Sequence, residues 1–371
     1  MAGVEIANET IKKLHPVWDA ALVVANEKSR KKFLVSSQVL RIASDYFNVL
    51  FSDKFQEGIK TRDGLKPDIH LQDDNPDAMD VILSILHYSF NNEWYTMNAE
   101  SFAVIATHCD KYCCTASLMP WMQRWLANFN RTIELRDIGY LLVSTSMIGE
   151  SQAFQKISRM AVLRLPLNYD FSSWLEDKTL ANLPEEVSSY VTSRMKEVTQ
   201  QLYSKLQQTV IDLAANQSDV GRMYSSRCSK CFHVYEKSRS SNCPDCSFGE
   251  HEQPGAGDYQ VFCCWETRVA ECTVILTKHQ LYPNEKAWRM GTISEIVRRF
   301  NMVRETRTHK CDFDQQCPLR KRLRELEEAV FDVVESIQGQ KLSSLVRRAC
   351  HHKLDDGDGK GEGQCDASKE R

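Results

Sequence analysis

Apolar and polar positions change rhythm along this chain, and each change marks an element. Trp18-Asp-Ala-Ala-Leu-Val-Val-Ala25 has the β-branched character of a strand, Asn26 to Arg30 is a polar turn, and Lys32-Phe-Leu-Val35 is the returning strand of a hairpin. Ser36 and Ser37 offer an N-cap to a single helix whose apolar positions Val39, Leu40, Ile42, Phe47, Leu50 and Phe51 fit a period near 3.6. Asp68-Ile-His-Leu71 reads as a third strand. Asp73 to Pro76 is a polar helix start with proline where its missing N–H is harmless, and Met79, Ile82, Leu83 and Leu86 supply that helix's buried stripe. Two further helices, over about 98–112 and 115–128, close a unit spanning 17–130. Ahead of it, residues 1–16 read as a short leader, helical if ordered, ended by Pro16.

Behind this unit the period stays helical. Ile138, Leu141, Leu142, Phe154, Ile157, Met160 and Leu163 give the pattern up to a loop between Pro166 and Pro184. From there Val187, Val191, Met195, Val198, Leu202, Leu206, Val210 and Leu213 recur at steps of three or four, predicting one amphipathic helix of about 30 residues. It packs against the protein's own domains or, as the alternative, forms a self-association coil. The helical region ends at 217, and 218–350 reads as a separate cysteine-rich module. Within it, Tyr259–Cys264 and Thr273–Leu276 look like strands, while 292–303 and 318–337 look like helices. The second of these places Leu319, Leu323, Leu326, Val330, Val334 and Ile337 on one face. Residues 351–371, rich in Gly and Asp, lack the apolar surface to fold and are expected to be disordered.

Composition narrows the function classes. A formal net charge of -3 provides no global attraction to nucleic acid or anionic membrane. No apolar run approaches the roughly 18 residues of a membrane span, and Met1 to His15 lacks a signal-peptide core. The expected setting is therefore the reducing cytosol or nucleus, where clustered cysteines favour metal over disulfides.

All the cysteines but Cys109, Cys113 and Cys114 lie after residue 220. Cys228-Ser-Lys-Cys231 and Cys243-Pro-Asp-Cys246 each wrap a turn from which two thiolates converge. Together they supply the four ligands of a tetrahedral structural zinc (Zn2+) site, with residues 232–242 forming a hairpin between the knuckles. No His pair follows at the spacing of a DNA-reading finger, and no interleaved His marks a RING ligase. A thiol oxidoreductase would need its Cys-x-x-Cys at a helix start in a strand–helix context, which is missing. A second metal site is less specified, its candidates being Cys263, Cys264, Cys272, His279, His309, Cys311 and Cys317. Cys109, Cys113 and Cys114 read as small apolar packing.

The front unit resembles the BTB/POZ domain, used for dimerisation and partner docking. The matching residues are Asp19, Leu22-Val-Val24, Phe33-x-Val35, Leu40, Ser44-x-Tyr46-Phe47, Leu50-Phe51, Glu57-Gly58, Leu71, Tyr88, Cys109-Asp-Lys-Tyr112, Trp121 and Trp125-Leu126. Many members carry His after Phe-x-Val; Ser36-Ser37 here is similar to the variant common in fungal members. His309-x-Cys311 leading into the apolar helix, followed by Ile337-Gln-Gly339-x-x-Leu342, also resembles the C-terminal segment of fungal BTB/POZ proteins with zinc-like cysteines. In cullin-3 adaptors of the family an apolar-x-Glu motif helps contact the ligase scaffold, and Phe55-Gln56-Glu57 matches it in type and position. The expected fold is α+β: the BTB/POZ fold that the resemblance implies, with a small sheet and helix cluster, then a mostly helical middle read from periodicity and a zinc-stapled module read from the cysteine spacing.

No phosphate-cradling glycine loop, Gly-x-Ser-x-Gly elbow or His-Glu-x-x-His occurs, so the expectation is a non-enzymatic protein. The leading reading is a protein-interaction protein, a homodimer or docking platform, with Phe55 and Glu57 as partner-binding residues and cullin-3 as a candidate partner. The alternative is a transcription or chromatin regulator. It would touch nucleic acid through the zinc module and a basic concentration formed by Arg298, Arg299, Arg304, Arg307, Lys310, Arg320, Lys321, Arg322 and Arg324.

Overall fold

A computed structural model describes residues 9–27, 29–89, 91–129, 133–216, 225–227, 234–236, 264–283, 288, 290–306 and 317–345. The front sheet has four strands, β1 (Thr10–Lys13), β2 (Ala20–Ala25), β3 (Arg30–Val35) and β4 (Asp68–Leu71), in the order β1-β3-β2-β4. β2 and β3 pair antiparallel, with Leu22 opposite Phe33, while β2 pairs parallel with β4, setting Leu22 beside Ile69. Five successive residues of β2, Ala20 to Val24, are buried. A central strand covered on both faces carries a continuous apolar run instead of an alternation, as Ala-Ala-Leu-Val-Val does here.

Two expectations change in this region. Residues 10–13 form an edge strand, paired in parallel with β3 from Thr10 opposite Lys31 to Lys13 opposite Leu34. Thr-Ile-Lys-Lys has too little apolar alternation to announce a strand. It is held instead by the ladder and by Lys12, whose ammonium donates to Asp80 at 2.6 Å. The single helix expected after the hairpin is two, α1 (Ser37–Ala43) and α2 (Asp45–Leu50), broken at Ser44. Ser44 accepts the amide of Phe47 at 3.0 Å and donates its hydroxyl to Tyr112 O at 2.6 Å, so it both caps α2 and ties the break to a distant helix. Once the register resets, Ile42 is 89% exposed and Val39 only half-buried, while Leu40, Phe47 and Phe51 remain core. Neither serine caps α1 by its own side chain: Asp19 takes both the Ser37 amide (2.7 Å) and its hydroxyl (2.6 Å).

α3 (Gln56–Arg62) follows, then β4 and α4 (Pro76–Leu86), α5 (Ala99–Lys111) and α6 (Thr115–Phe129). Asn75 caps α4 by accepting from Asp77 and Ala78, with Pro76 at the first helical position. The core does not stop at α6. α5 packs on α7 (Asp137–Met147), α7 on α8 (Ser151–Arg164), and α8 on the 31-residue α10 (Glu185–Ala215), with α9 (Ser172–Glu176) before it. α10 buries Val187, Val191, Met195, Val198, Leu202, Leu206 and Leu213 against α8 and two later helices, α11 (Trp265–Lys278) and α13 (Pro318–Glu335). This is the packing expected of an internal helix.

Thr273–Leu276, expected as a strand, lies inside α11, where Arg268, Cys272, Ile275 and Leu276 fall at helical spacing and are buried. α12 (Ile293–Glu305) and α13 match expectation, except that Val333 rather than Val334 faces the core. A short hairpin pairs β5 (Ser225–Arg227) with β6 (Val234–Glu236). Residues 237–263 and 346–371 lie outside the described residues. Among the described residues no helix is long and apolar enough to cross a membrane.

Candidate protein-interaction surface

Phe55 and Glu57 sit at one helix start. Phe55 is the N-cap residue of α3, half-buried, and Glu57 lies in its first turn, where a carboxylate complements the helix dipole. Gly58 fixes their placement. It packs so tightly on the end of α2 that a Cβ would fall 1.9 Å from Ser52 O and 2.6 Å from the Phe51 carbonyl carbon, so only glycine lets α3 start here. Glu57 O accepts the Thr61 hydroxyl at 2.8 Å. Burial pushes the Tyr46 phenol up, and the charges of Asp74 and Glu57 add to that, so Tyr46 stays protonated beside this rim.

Beneath the rim is a polar and aromatic centre. Tyr112 stacks on Phe47 with ring centroids 5.2 Å apart and meets Tyr46 edge-on at 5.0 Å. Its hydroxyl donates to the buried Asp74, which also accepts from Lys111 at 2.8 Å. Burial first, and then the hydrogen bond to Asp74, push the Tyr112 phenol far above its ordinary range.

Two histidines in the front unit make the same pair of backbone contacts. His87 donates Nδ1–H to Leu83 O (2.8 Å) and its Nε2 accepts the Ser36 amide (3.1 Å). His108 donates Nδ1–H to Val104 O (2.8 Å) and accepts the Asn75 amide at Nε2 (2.9 Å). An acceptor at Nε2 fixes the neutral tautomer in each. Burial holds both imidazoles below their ordinary range, against the opposing pull of their backbone partners. Asp80 of α4 is clamped by Lys12 (2.6 Å) and Lys31 (3.0 Å). Burial pushes its carboxyl up, but the two lysines outweigh this and leave it below the usual carboxylate range.

None of these interior roles was visible from spacing. Asp74, His87 and His108 each sit near a helix end in an ordinary polar context, and only the fold brings them to their partners. The apolar residues that the fold leaves outside include Ile42 on α1 and Ile11, 61% exposed, on β1.

The metal candidates divide. Cys228, Cys231, Cys243, Cys246, Cys263, His309 and Cys311 lie outside the described residues. The described ones are spread through the rear half: Cys264 and Cys317 are the N-cap residues of α11 and α13, and Cys272 is core, its thiol pushed up to about 12 by burial. Among the described residues no group of three His, Cys, Asp or Glu side chains is placed to hold a metal ion. Cys109 and Cys114 are buried and Cys113 exposed.

The basic concentration offers no stacking face among its described members. Arg299 pairs with Glu295 at 3.0 Å, Arg322 with Glu325 at 2.8 Å and Asp212 at 3.4 Å, and Phe300 is core, 2% exposed. A base-stacking platform needs accessible rings beside free cations.

Residues 9–117 match the family model of the BTB/POZ domain, so the chain carries that domain, a protein-interaction module, in its front third. The match starts just before β1 and ends in the first turn of α6, which continues to Phe129. No curated protein matches the chain.

Proposed function

We propose that this chain is a non-enzymatic interaction protein of the cytosol or nucleus. Its BTB/POZ domain binds a second protein, by dimerisation or by docking a partner, and its rear half presents a further surface. The observation that carries this reading is the match over residues 9–117 on a front unit whose α5 packs directly on α7. A partner held at the front is thereby linked to the rear through packed helices, as an adaptor requires.

Phe55 and Glu57 are the contact residues. They flank Gln56 at a helix start held by Gly58, half-buried but reachable, and they repeat in type the apolar-x-Glu motif of cullin-3 adaptors. Cys228, Cys231, Cys243 and Cys246 would hold a structural zinc ion, and four thiolate ligands would leave no open position for chemistry. Support for it comes from the pairing of Ser225–Arg227 with Val234–Glu236, which brackets the first Cys-x-x-Cys. The hairpin expected over residues 232–242 lies outside the described residues except for Val234–Glu236.

The test is co-purification of the intact chain with cullin-3. Recovery falls at least about fivefold, near 1 kcal/mol, when Phe55→Ala is combined with Glu57→Lys. Equal recovery by the folded double variant removes the motif, and no recovery by either chain removes this scaffold as the partner.

A further inference from the structure

The rear half contains a cleft that the front domain does not use. Residues 165–171 form a strap beside α10, held by a bridge between Pro166 and Thr292 and by the Leu167 amide donating to Gly291 O at 3.0 Å. The strap's aromatic side chains are locked. Trp174 Nε1 donates to the Tyr169 hydroxyl at 2.9 Å, and Phe171 packs edge-on against Tyr169 and Trp174 at 4.9 and 4.8 Å. Across the gap, Tyr203 of α10 donates its hydroxyl to Pro283 O at 3.0 Å. The space between strap and helix is about 720 Å³, a volume typical of ligand sites.

The α10 side of the cleft is a ladder of polar groups at one-turn intervals. Thr192 and Thr199 donate their hydroxyls back to Ser188 O (2.8 Å) and Met195 O (2.7 Å), which leaves oxygen lone pairs to accept. Gln200, Ser204 and Gln207 line the cleft, and among the described residues their side chains make no hydrogen bond. Among the described residues Lys196 is the one charged residue lining the cleft, and it has no ion-pair partner there.

We propose that this cleft binds a short extended peptide carrying an acidic residue beside an aromatic or long aliphatic anchor. From Thr192 to Gln207 the helix rises about 22 Å, which an extended chain covers in about six or seven residues. The spaced hydroxyl and amide groups pair with the peptide's backbone N–H and C=O groups, Lys196 takes the carboxylate, and the wall of Tyr169 and Phe171 takes the anchor. A compact small molecule would leave most of the ladder unpaired. A second copy of α10 would need a continuous facing apolar stripe, whereas on this face Met195 and Tyr203 are separated by Lys196, Thr199 and Gln200 and flanked by Thr192, Ser204 and Gln207. The proposal rests on the reading of the chain as an interaction protein and gives its rear surface a ligand class.

The test selects phage-displayed random heptapeptides on the immobilised full-length chain and measures the affinity of the enriched sequences by fluorescence anisotropy. The enriched set carries Asp or Glu within two positions of an aromatic, Leu, Ile or Met residue. Lys196→Glu and Phe171→Ala each weaken binding at least about tenfold, about 1.4 kcal/mol, while Phe55→Ala with Glu57→Lys leaves it unchanged. Lys196 is exposed and Thr199 half-buried, both outside the buried stripe of α10, so Lys196→Glu and the cleft-filling Thr199→Arg keep the fold even if Phe171→Ala does not. Failure to enrich, enrichment of sequences lacking an acid, or wild-type affinity in both α10 variants overturns the proposal. Because front-domain capture is read separately through Phe55 and Glu57, an empty selection with intact capture overturns the cleft alone.

Discussion

Gly58 and Gly339 show how single residues decide whether elements can meet. Gly339 follows α13 and lies against α8 so closely that a Cβ would fall 1.6 Å from Gln155 O and 2.7 Å from the Ser158 hydroxyl. Around it, the Ser158 hydroxyl oxygen accepts the Gln340 amide at 2.8 Å, Arg159 donates to Ile337 O at 2.8 Å, and Tyr190 donates to Gln338 O at 2.5 Å. The segment from Ile337 to Gln340 is therefore a clasp that closes the rear half. Gly339→Ala must move backbone rather than a flexible side chain, and we expect a loss of about 2 kcal/mol or more in denaturant unfolding; a change within about 0.5 kcal/mol would contradict the close approach. Ser44→Ala removes both the cap of α2 and the bond to Tyr112 O, and should cost about 1–2 kcal/mol in the same measurement. Spacing showed Gly58 and Gly339 only as members of family-like motifs. It did not show what lies against them, because the opposing carbonyls, Ser52 O and Gln155 O, depend on how the helices pack.

Helices announced by long apolar periodicity were legible, and short or two-sided elements were not. The run from Val187 to Leu213 keeps its phase for over seven turns, and α10 follows it closely. Thr273-Val-Ile-Leu276 looked like a strand because four β-favouring residues are indistinguishable from a buried helix turn until their neighbours are counted. The break at Ser44 was hidden because Phe47 continues an approximate period across it. At this scale the histidine latches make the front unit sensitive to acid. Each imidazole is bound neutral, with its folded pKa below the unfolded value near 6.5. The unfolded chain therefore binds more protons, so stability is full above about 6.5 and falls as pH drops toward the folded pKa, by up to about 1.4 kcal/mol per unit for each histidine. Unfolding free energy should be lower at pH 5.5 than at 7.5, and the difference should shrink when His87→Gln and His108→Gln are combined. A pH difference unchanged in that variant would place the sensitivity elsewhere. For the cysteine knuckles, metal analysis of the purified chain should give one zinc per chain, lost when Cys228→Ser and Cys231→Ser are combined; wild-type protein without zinc would remove the staple.

At the scale of the whole molecule, the front domain and the rear helices share one continuous apolar core, from Phe33 and Phe47 through Phe102 and Leu141 to Val198 and Val330. The compositional contrast between a cysteine-poor front and a cysteine-rich rear suggested separable halves, yet α11 and α13 close directly on α10. Composition records which side chains a segment carries, whereas the joint between α5 and α7 depends on shape and is invisible to it. A continuous core suits a protein that must hold a partner at one end in fixed relation to the other. In the proposed reading the BTB/POZ domain captures a protein partner through the surface at Phe55 and Glu57. The most direct measurement is quantitative affinity purification of the intact chain, run side by side with the chain carrying Phe55→Ala and Glu57→Lys. At least one protein is expected well above background with the first and reduced at least about fivefold with the second. Recovery of no protein above background, or of the same proteins in the same amounts by both chains, would contradict it.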